Sequence, residues 1–351
     1  MASVDVVIPC YNYAKYLPGC IASVLSQEGV EVRALIIDDC STDDTPIVGA
    51  ALASGDSRVI YRRHAQNMRH IATYNEGLID WATADYSLLL SADDLLAPGA
   101  LRRATEVMEK HPDVHLAYGM ALEFSDDAQL ANLPAAPEGE YQIVPGPEFV
   151  RRCIIGNPVP TPSAIVRTRL QKKVGGYSKS LPHTADMEMW MRFGAHGDVG
   201  VVPQVIAYKR THATNMSIQY AEQPLGDFRE RIEACRELLA VHGKALGAAA
   251  PTLDEAHELI GTQIFWRASA LADGGHIAAC DEAMKLAAEL APGLTRTAAW
   301  KRLRLKRMLP APIRSRLMSL LRGARATAAT APLLASGARQ VGWWPSEKSR
   351  S

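Results

Sequence analysis

Val6-Val-Ile-Pro-Cys-Tyr-Asn-Tyr13 is a short apolar run that ends in a proline and then in aromatic and polar residues. Val4 to Ile8 predicts a strand, stopped by Pro9. Tyr16 to Gln27 predicts a helix, because Leu17, Ile21, Val24 and Leu25 share one face at helical spacing. Val32 to Ile37 predicts a second strand. Ser41-Thr-Asp-Asp-Thr-Pro46 then supplies capping oxygens and a proline for the start of a helix. The alternation continues with strands at Arg58–Arg62, Tyr86–Leu90 and Val114–Tyr118. Helices are predicted where Ile71, Tyr74, Leu78 and Ala82 recur, and from about Ala100 to Lys110. Strands alternating with helices imply an α/β fold, with a mostly parallel sheet covered on both faces.

Such sheets bind ligands outside the carboxyl ends of their strands. The polar residues that stand out fall at those ends. Tyr11 and Asn12 follow the first strand, Asp38-Asp39 end the second, and Asp93-Asp94 follow Leu90. Magnesium-type ions take one or two protein carboxylates plus substrate phosphates, which suits Asp93-Asp94. An ion there would neutralise charge on a diphosphate leaving group. A carboxylate at Asp39 would accept hydrogen bonds from a nucleobase or ribose. Both pairs also read as ordinary turn and helix caps. The chain has no GxGxxG after the first strand, no GxxxxGK[ST] and no GxSxG. Dinucleotide redox enzymes, P-loop ATPases and α/β-hydrolases are disfavoured accordingly.

At 351 residues the chain has room for about two domains. Its 38 basic residues balance 38 acidic ones, which argues against nucleic acid as a partner. The six cysteines form no CxxC pair and have no histidine at zinc-ligand spacing, so they read as core fillers. No window approaches the ~20 apolar residues of a membrane span. The N-terminus shows no basic leader and no cleavage site, and a cytoplasmic protein is expected.

Asp126 to Pro147 carries four prolines and predicts a long surface loop. Asn157–Pro162 predicts an extended segment before a strand at Ala164–Val166. Asp186–Phe193 predicts a helix, and Val199–Val202 and Val205–Tyr208 predict two strands. From Asp227 onward only helix signals remain, at Asp227–Val241, Leu253–Ala272 and His276–Leu290. The expected domains are 1–220 (catalytic) and 221–351 (helical), with a basic tail at 296–325. That tail holds ten Lys and Arg and no Asp or Glu. Within it, Ile313, Leu317, Leu320, Leu321 and Ala324 align on one side of a helix flanked by arginines. This pattern predicts peripheral contact with an anionic membrane surface.

The chain resembles glycosyltransferase family 2, the inverting nucleotide-sugar transferases of GT-A fold. The resemblance covers about residues 4–220. It rests on residues 6–13 and 36–45, on Asn67 to Leu78, and on Leu-Leu-Leu-Ser-Ala-Asp-Asp (88–94). Gly175-Gly176-Tyr177, Asp186 to Arg192, and Tyr208 to Ser217 extend it. By position, the resemblance implies that Pro9, Tyr11 and Asp39 line the base and ribose pocket. Asn67 and Arg69 join the donor site, and Asp93 contacts the ribose or supports the metal. Asp94 would ligate Mn2+ or Mg2+, with His212 completing the metal or diphosphate site. Asp186 would be the catalytic base, with Glu188 its rival and His183 a candidate acceptor contact. Two departures stand out. Ser91 replaces the first aspartate of the metal motif, and Tyr74 stands where many members carry arginine.

The implied reaction moves a sugar from a nucleoside diphosphate, UDP-type first, to a hydroxyl of a glycan or lipid-linked acceptor. The protein must stabilise the departing diphosphate, deprotonate the acceptor and hold both in line. The alternatives are a sugar-phosphate nucleotidyltransferase and a non-catalytic glycan- or nucleotide-binding scaffold.

Overall fold

The computed structural model describes residues 1–132, 139–213, 215, 225–309 and 339–342. β1 (Ser3–Cys10), α1 (Leu17–Leu25), β2 (Glu31–Asp38), α2 (Thr45–Gly55) and β3 (Val59–Arg63) follow the predicted alternation. α3 (His70–Asn75) runs on into a wider-wound helical turn at Glu76–Trp81. β4 (Tyr86–Leu89), β5 (Leu95–Leu96), α4 (Ala100–Lys110) and β6 (Val114–Phe124) come next. β7 (Gln142–Val144), α5 (Gly146–Ile155), β8 (Ile165–Arg167), α6 (Thr168–Val174), α7 (Ala185–His196) and β9 (Asp198–Arg210) complete the main body. The helices α8 (Gly226–Leu246), α9 (Leu253–Asp273), α10 (Ile277–Leu290) and α11 (Ala298–Met308) follow. β10 (Arg339–Val341) returns to the sheet.

The strands form one sheet in the order β3-β2-β1-β4-β8-β6-β9-β5, with β7 on β9 and β10 on β6. β3, β2, β1 and β4 are parallel, as the βα alternation requires. β8 runs antiparallel to both β4 and β6. The segment before it lies at the carboxyl edge, so β8 enters the sheet from that edge and runs back. The second half of the sheet is therefore mixed.

Pro9 does not stop β1, which continues to Cys10. The carbonyl of Val7 accepts Leu90 N–H on the β4 side, and Pro9, two residues on, faces the same way. Pairing with β4 ends at Val7, so the missing N–H of Pro9 costs no ladder bond. The two strands expected around Pro203 are one, β9. Gly119 pairs with Val202 and Met120 with Val205, so Pro203 and Gln204 sit in an irregularity outside the ladder. The expected loop 126–147 contains β7 and the start of α5. Pro147 stands in the first turn of α5, where a lost N–H is harmless.

Alternate residues of the strands feed two cores. Val6, Ile8, Ile36 and Leu88 pack beneath α1 and α4. Val7, Leu35, Ile37 and Leu89 face the opposite layer, with Phe149 and Val150 of α5 and Met187 and Trp190 of α7. That second core continues into Ile232, Cys235 and Leu238 of α8. None of the described cysteines is in a disulfide, and all but Cys40 are buried.

Candidate active site

β1, β2, β3, β4, β6 and β9 all end at one edge of the sheet, and the candidate residues gather there. Among the described residues, the three non-glycine residues with left-handed backbone, Asn12, Cys40 and Arg69, also lie in loops that leave this edge. Such strained positions are held only where surrounding contacts fix them. Asn12 is fixed in this way: its N–H donates to Ser41 Oγ (2.9 Å), and its Oδ1 accepts Thr42 N–H (2.8 Å).

The two aspartates after β2 divide by environment. Asp38 is fully buried and accepts from Ser41 N–H and the Tyr61 hydroxyl, both at 2.8 Å. Its contacts hold the loop. Asp39 Oδ1 accepts from Met68 N–H at 2.6 Å and lies 2.7 Å from His64 Nδ1. The other ring nitrogen of His64 is 2.7 Å from Glu76 Oε2. Burial disfavours the charged imidazole, but hydrogen bonds to Asp39 and Glu76 outweigh it, so the His64 pKa is raised. Asn67 Oδ1 accepts Arg69 N–H (3.0 Å) and so shapes the loop that carries Met68. The Arg69 side chain and Tyr11 are exposed at this edge, and Pro9 is half-buried.

After β4, Asp94 N–H closes a turn onto Ser91 O (3.0 Å). Ser91 Oγ donates to Asp93 Oδ1 (2.5 Å), so the serine that replaces an acid serves as a hydrogen-bond donor to its neighbour. Asp93 and Asp94 are only 3% and 5% exposed. Burial, with Asp93 alongside, pushes the Asp94 pKa well above the usual carboxylate range. Two buried carboxylates side by side form a donor set that a divalent cation fits. Among the described residues, no three His, Cys, Asp or Glu side chains form a complete metal cage. An ion held by one or two carboxylates would leave its remaining positions to substrate phosphate and water.

His212 reaches this turn from the end of β9. Its Nε2 is 3.0 Å from Asp93 Oδ2, and its ring stacks on Tyr16 at 5.7 Å. Arg210, missed in the sequence reading, locks the turn in place. Its N–H donates to Asp94 Oδ1 (2.9 Å), its Nε donates to Asp93 O (3.1 Å), and its guanidinium lies over the rings of Tyr16 and Phe124.

Asp186 stands in the first turn of α7. Its Oδ2 accepts from Asn157 Nδ2 (2.9 Å) and Thr161 Oγ1 (3.2 Å), and its Oδ1 from Met187 N–H (2.7 Å). Burial raises its pKa, with these donors opposing. Tyr74 is within electrostatic reach of both acidic groups. Burial raises its pKa first, followed by the charges of Asp186 and Asp93. Glu188 points elsewhere: it is 4% exposed and pairs with Arg192 at 2.8 Å. Arg192 in turn donates to Val174 O and Gly176 O, so this pair is buried. His183 Nε2 lies 3.4 Å from Asp227 on α8, whose carboxylate raises its pKa. His64, Glu76, Arg210, Asn157 and Thr161 are thus part of the site, although the sequence did not single them out as site residues. Of these, His64 and Arg210 had a positional signal, at the ends of β3 and β9.

A mixed sheet with carboxylates gathered at its strand ends is the architecture of the GT-A nucleotide-sugar transferases. Residues 5–168 match the family model for glycosyl transferase family 2. It is similar to the succinoglycan biosynthesis protein ExoO of Rhizobium meliloti, with 34% identity over 139 residues, 37% of this chain and 39% of ExoO. The chain spans less than two thirds of the length of the first curated relatives it matches. In fold it is similar to Staphylococcus aureus TarS residues 1–349 in complex with UDP-GlcNAc. The TM-score is 0.60 at 15% identity, covering 95% of each chain. The mannosyltransferase PcManGT of Pyrobaculum calidifontis, in complex with GDP-Man and Mn2+, aligns with TM-score 0.54 and 14% identity over 93% of this chain and 88% of that one.

Proposed function

We propose that the protein transfers a sugar, with inversion, from a nucleoside-diphosphate sugar to a hydroxyl of a glycan or lipid-linked acceptor in polysaccharide or glycolipid synthesis. The observation that carries this reading is the gathering of Asp39, the Asp93–Asp94 pair and Asp186 at one edge of the sheet. Asp39 Oδ1 is taken by His64 and Met68 N–H, which leaves Oδ2 to accept a hydrogen bond. A carboxylate oxygen accepts only, so it suits a base that presents a ring N–H, such as uracil, thymine or guanine. UDP-sugars are the first candidates.

Asp94, supported by Asp93 and His212, would hold Mn2+ or Mg2+, which when bound offsets the charge of the departing diphosphate. Arg69 adds a cation at the same edge. Asp186 accepts the proton of the acceptor hydroxyl as that oxygen attacks the anomeric carbon. Burial raises its pKa, which makes it a stronger proton acceptor than an exposed carboxylate. One displacement inverts the centre, so no protein nucleophile is needed.

We place the catalytic unit in residues 1–220 and assign 221–351 to a helical region that contacts the inner face of the membrane. Ile313–Arg325, the predicted amphipathic stretch, lies outside the described residues. On α11, Trp300 and Leu303 are buried, while Lys301, Arg302, Arg304, Leu305 and Met308 are exposed. Among the described residues, no helix is long and apolar enough to cross a membrane.

A screen of UDP-, dTDP-, GDP- and CDP-sugars with Mn2+, read as nucleotide release, tests the reading. Release from a UDP-sugar and none from CDP-sugars is expected. Release from none of them would overturn it.

A further inference from the structure

The residues that fix Asp186 are themselves held from outside the family-matched segment. Glu230, on the second turn of α8, offers one oxygen, Oε2, to three donors. These are His183 N–H (2.9 Å), Thr184 N–H (3.0 Å) and Thr184 Oγ1 (3.3 Å). Thr184 is the residue before α7, and its own side chain makes no cap to that helix. Glu230 therefore supplies the anion that a helix N-terminus favours, and it does so two residues before Asp186.

The next residue, Arg231, holds the other approach to the same carboxylate. It is 7% exposed and donates to Ile154 O (2.6 Å) and Ile155 O (2.9 Å) at the end of α5. Asn157, two residues further on, donates to Asp186. Two neighbouring residues of one helix thus grip the two chain segments that converge on the candidate base. The core packing of α8 against α7 keeps both grips in place.

We propose that Glu230 is a positioning residue for Asp186, so that α8 sets the geometry of the proton-accepting group. This rests on Asp186 being the base. Glu230 touches neither donor nor acceptor in this account. Its loss should therefore move turnover and leave donor affinity alone. Charge-assisted bonds to backbone N–H groups are strong ones, and three on one oxygen fix the loop at 183–184. Small displacements of a reacting group cost orders of magnitude in rate.

The test compares Glu230→Ala and Glu230→Gln with wild type. Glu230 is only half-buried, and Gln retains an acceptor oxygen, so the Gln variant guards against simple misfolding. In the Ala variant, hydrogen exchange of the 183–184 amides should rise at least about tenfold. UDP-sugar turnover should fall by about tenfold with donor Kd within about twofold of wild type. The Gln variant should recover most of both losses. Unchanged 183–184 exchange in Glu230→Ala would overturn the proposal without reference to activity. Raised exchange with unchanged turnover would overturn the positioning role. If wild type itself released no nucleotide, the proposed function would fail, while the exchange result would still decide whether Glu230 holds the loop.

Discussion

Asp186 and Glu188 stand two residues apart on α7, and their surroundings separate their roles. Asp186 accepts from Asn157 and Thr161, whereas Glu188 is closed off by Arg192. Residues at i and i+2 of a helix face different sides. Glu188→Gln should therefore destabilise the fold and spare the chemistry. It leaves a buried guanidinium with a weaker partner, at a cost of about 1–3 kcal/mol. The check is a urea unfolding midpoint together with turnover per folded molecule. A stable but inactive variant would move the base to Glu188.

His64 gives a prediction with a definite sign. Its pKa is raised above the ordinary 6.5 by Asp39 and Glu76 in spite of burial. A group raised on folding contributes stability that is fully present below the unfolded value. That contribution is lost as pH rises through the folded value. Thermal stability should therefore decline as pH rises above about 6.5, through the raised value, and His64→Gln should remove that part of the slope. Parallel pH–stability curves for the two proteins would contradict the assignment.

At the scale of elements, the site depends on segments meeting across the fold. Asn75 Oδ1 accepts Tyr177 N–H (2.6 Å), and its Nδ2 donates to Tyr177 O (2.9 Å). This tie joins α3 to the Gly175-Gly176 turn, which Arg192 grips from the other side. A Cβ at Gly176 would stand 2.3 Å from Asn75 Oδ1. Gly176→Ala should cost about 1–3 kcal/mol by breaking the tie. At Gly55 a Cβ meets nothing within 4 Å. Gly55→Ala should therefore be neutral or stabilising by up to about 1 kcal/mol. Equal denaturation midpoints for the two variants would contradict the role of the tie.

The elements also show what a sequence can and cannot disclose. Local period and turn chemistry placed β1 to β4, α1 and α4 within a residue or two. The carboxylates at strand ends followed from that placement. Pro203 split β9 in the reading because a proline breaks a ladder unless an irregularity absorbs it. α5 was hidden because a proline-rich stretch reads as loop, although Pro147 is well placed to begin a helix. Glu230 and Arg231 carried no local signal, and His64 and Arg210 only that of a strand end. Their partners stand 12 to 117 positions away in the chain. Only the folded sheet brings them together.

At the scale of the whole molecule, charge is distributed unevenly. The described part of the basic stretch is held down by Lys306–Asp273 and Arg307–Asp281, while Lys301, Arg302 and Arg304 face outward. Co-sedimentation with anionic vesicles at low salt should capture the full chain. A triple Glu variant at Lys301, Arg302 and Arg304 should bind less, because each basic residue near the surface contributes about 1 kcal/mol. Equal binding by both proteins, or by neither, would leave α11 as a packing element.

The central claim is that one edge of the sheet divides the work, with Asp94 on the donor side and Asp186 on the proton-accepting side. Calorimetric titration of UDP-sugar with Mn2+, paired with nucleotide-release rates for wild type, Asp94→Asn and Asp186→Asn, tests it directly. Asp94→Asn should lose Mn2+-dependent binding. Asp186→Asn should bind like wild type while turnover falls by about 10²- to 10⁴-fold. Loss of binding in Asp186→Asn, or unchanged Mn2+ dependence in Asp94→Asn, would contradict the account.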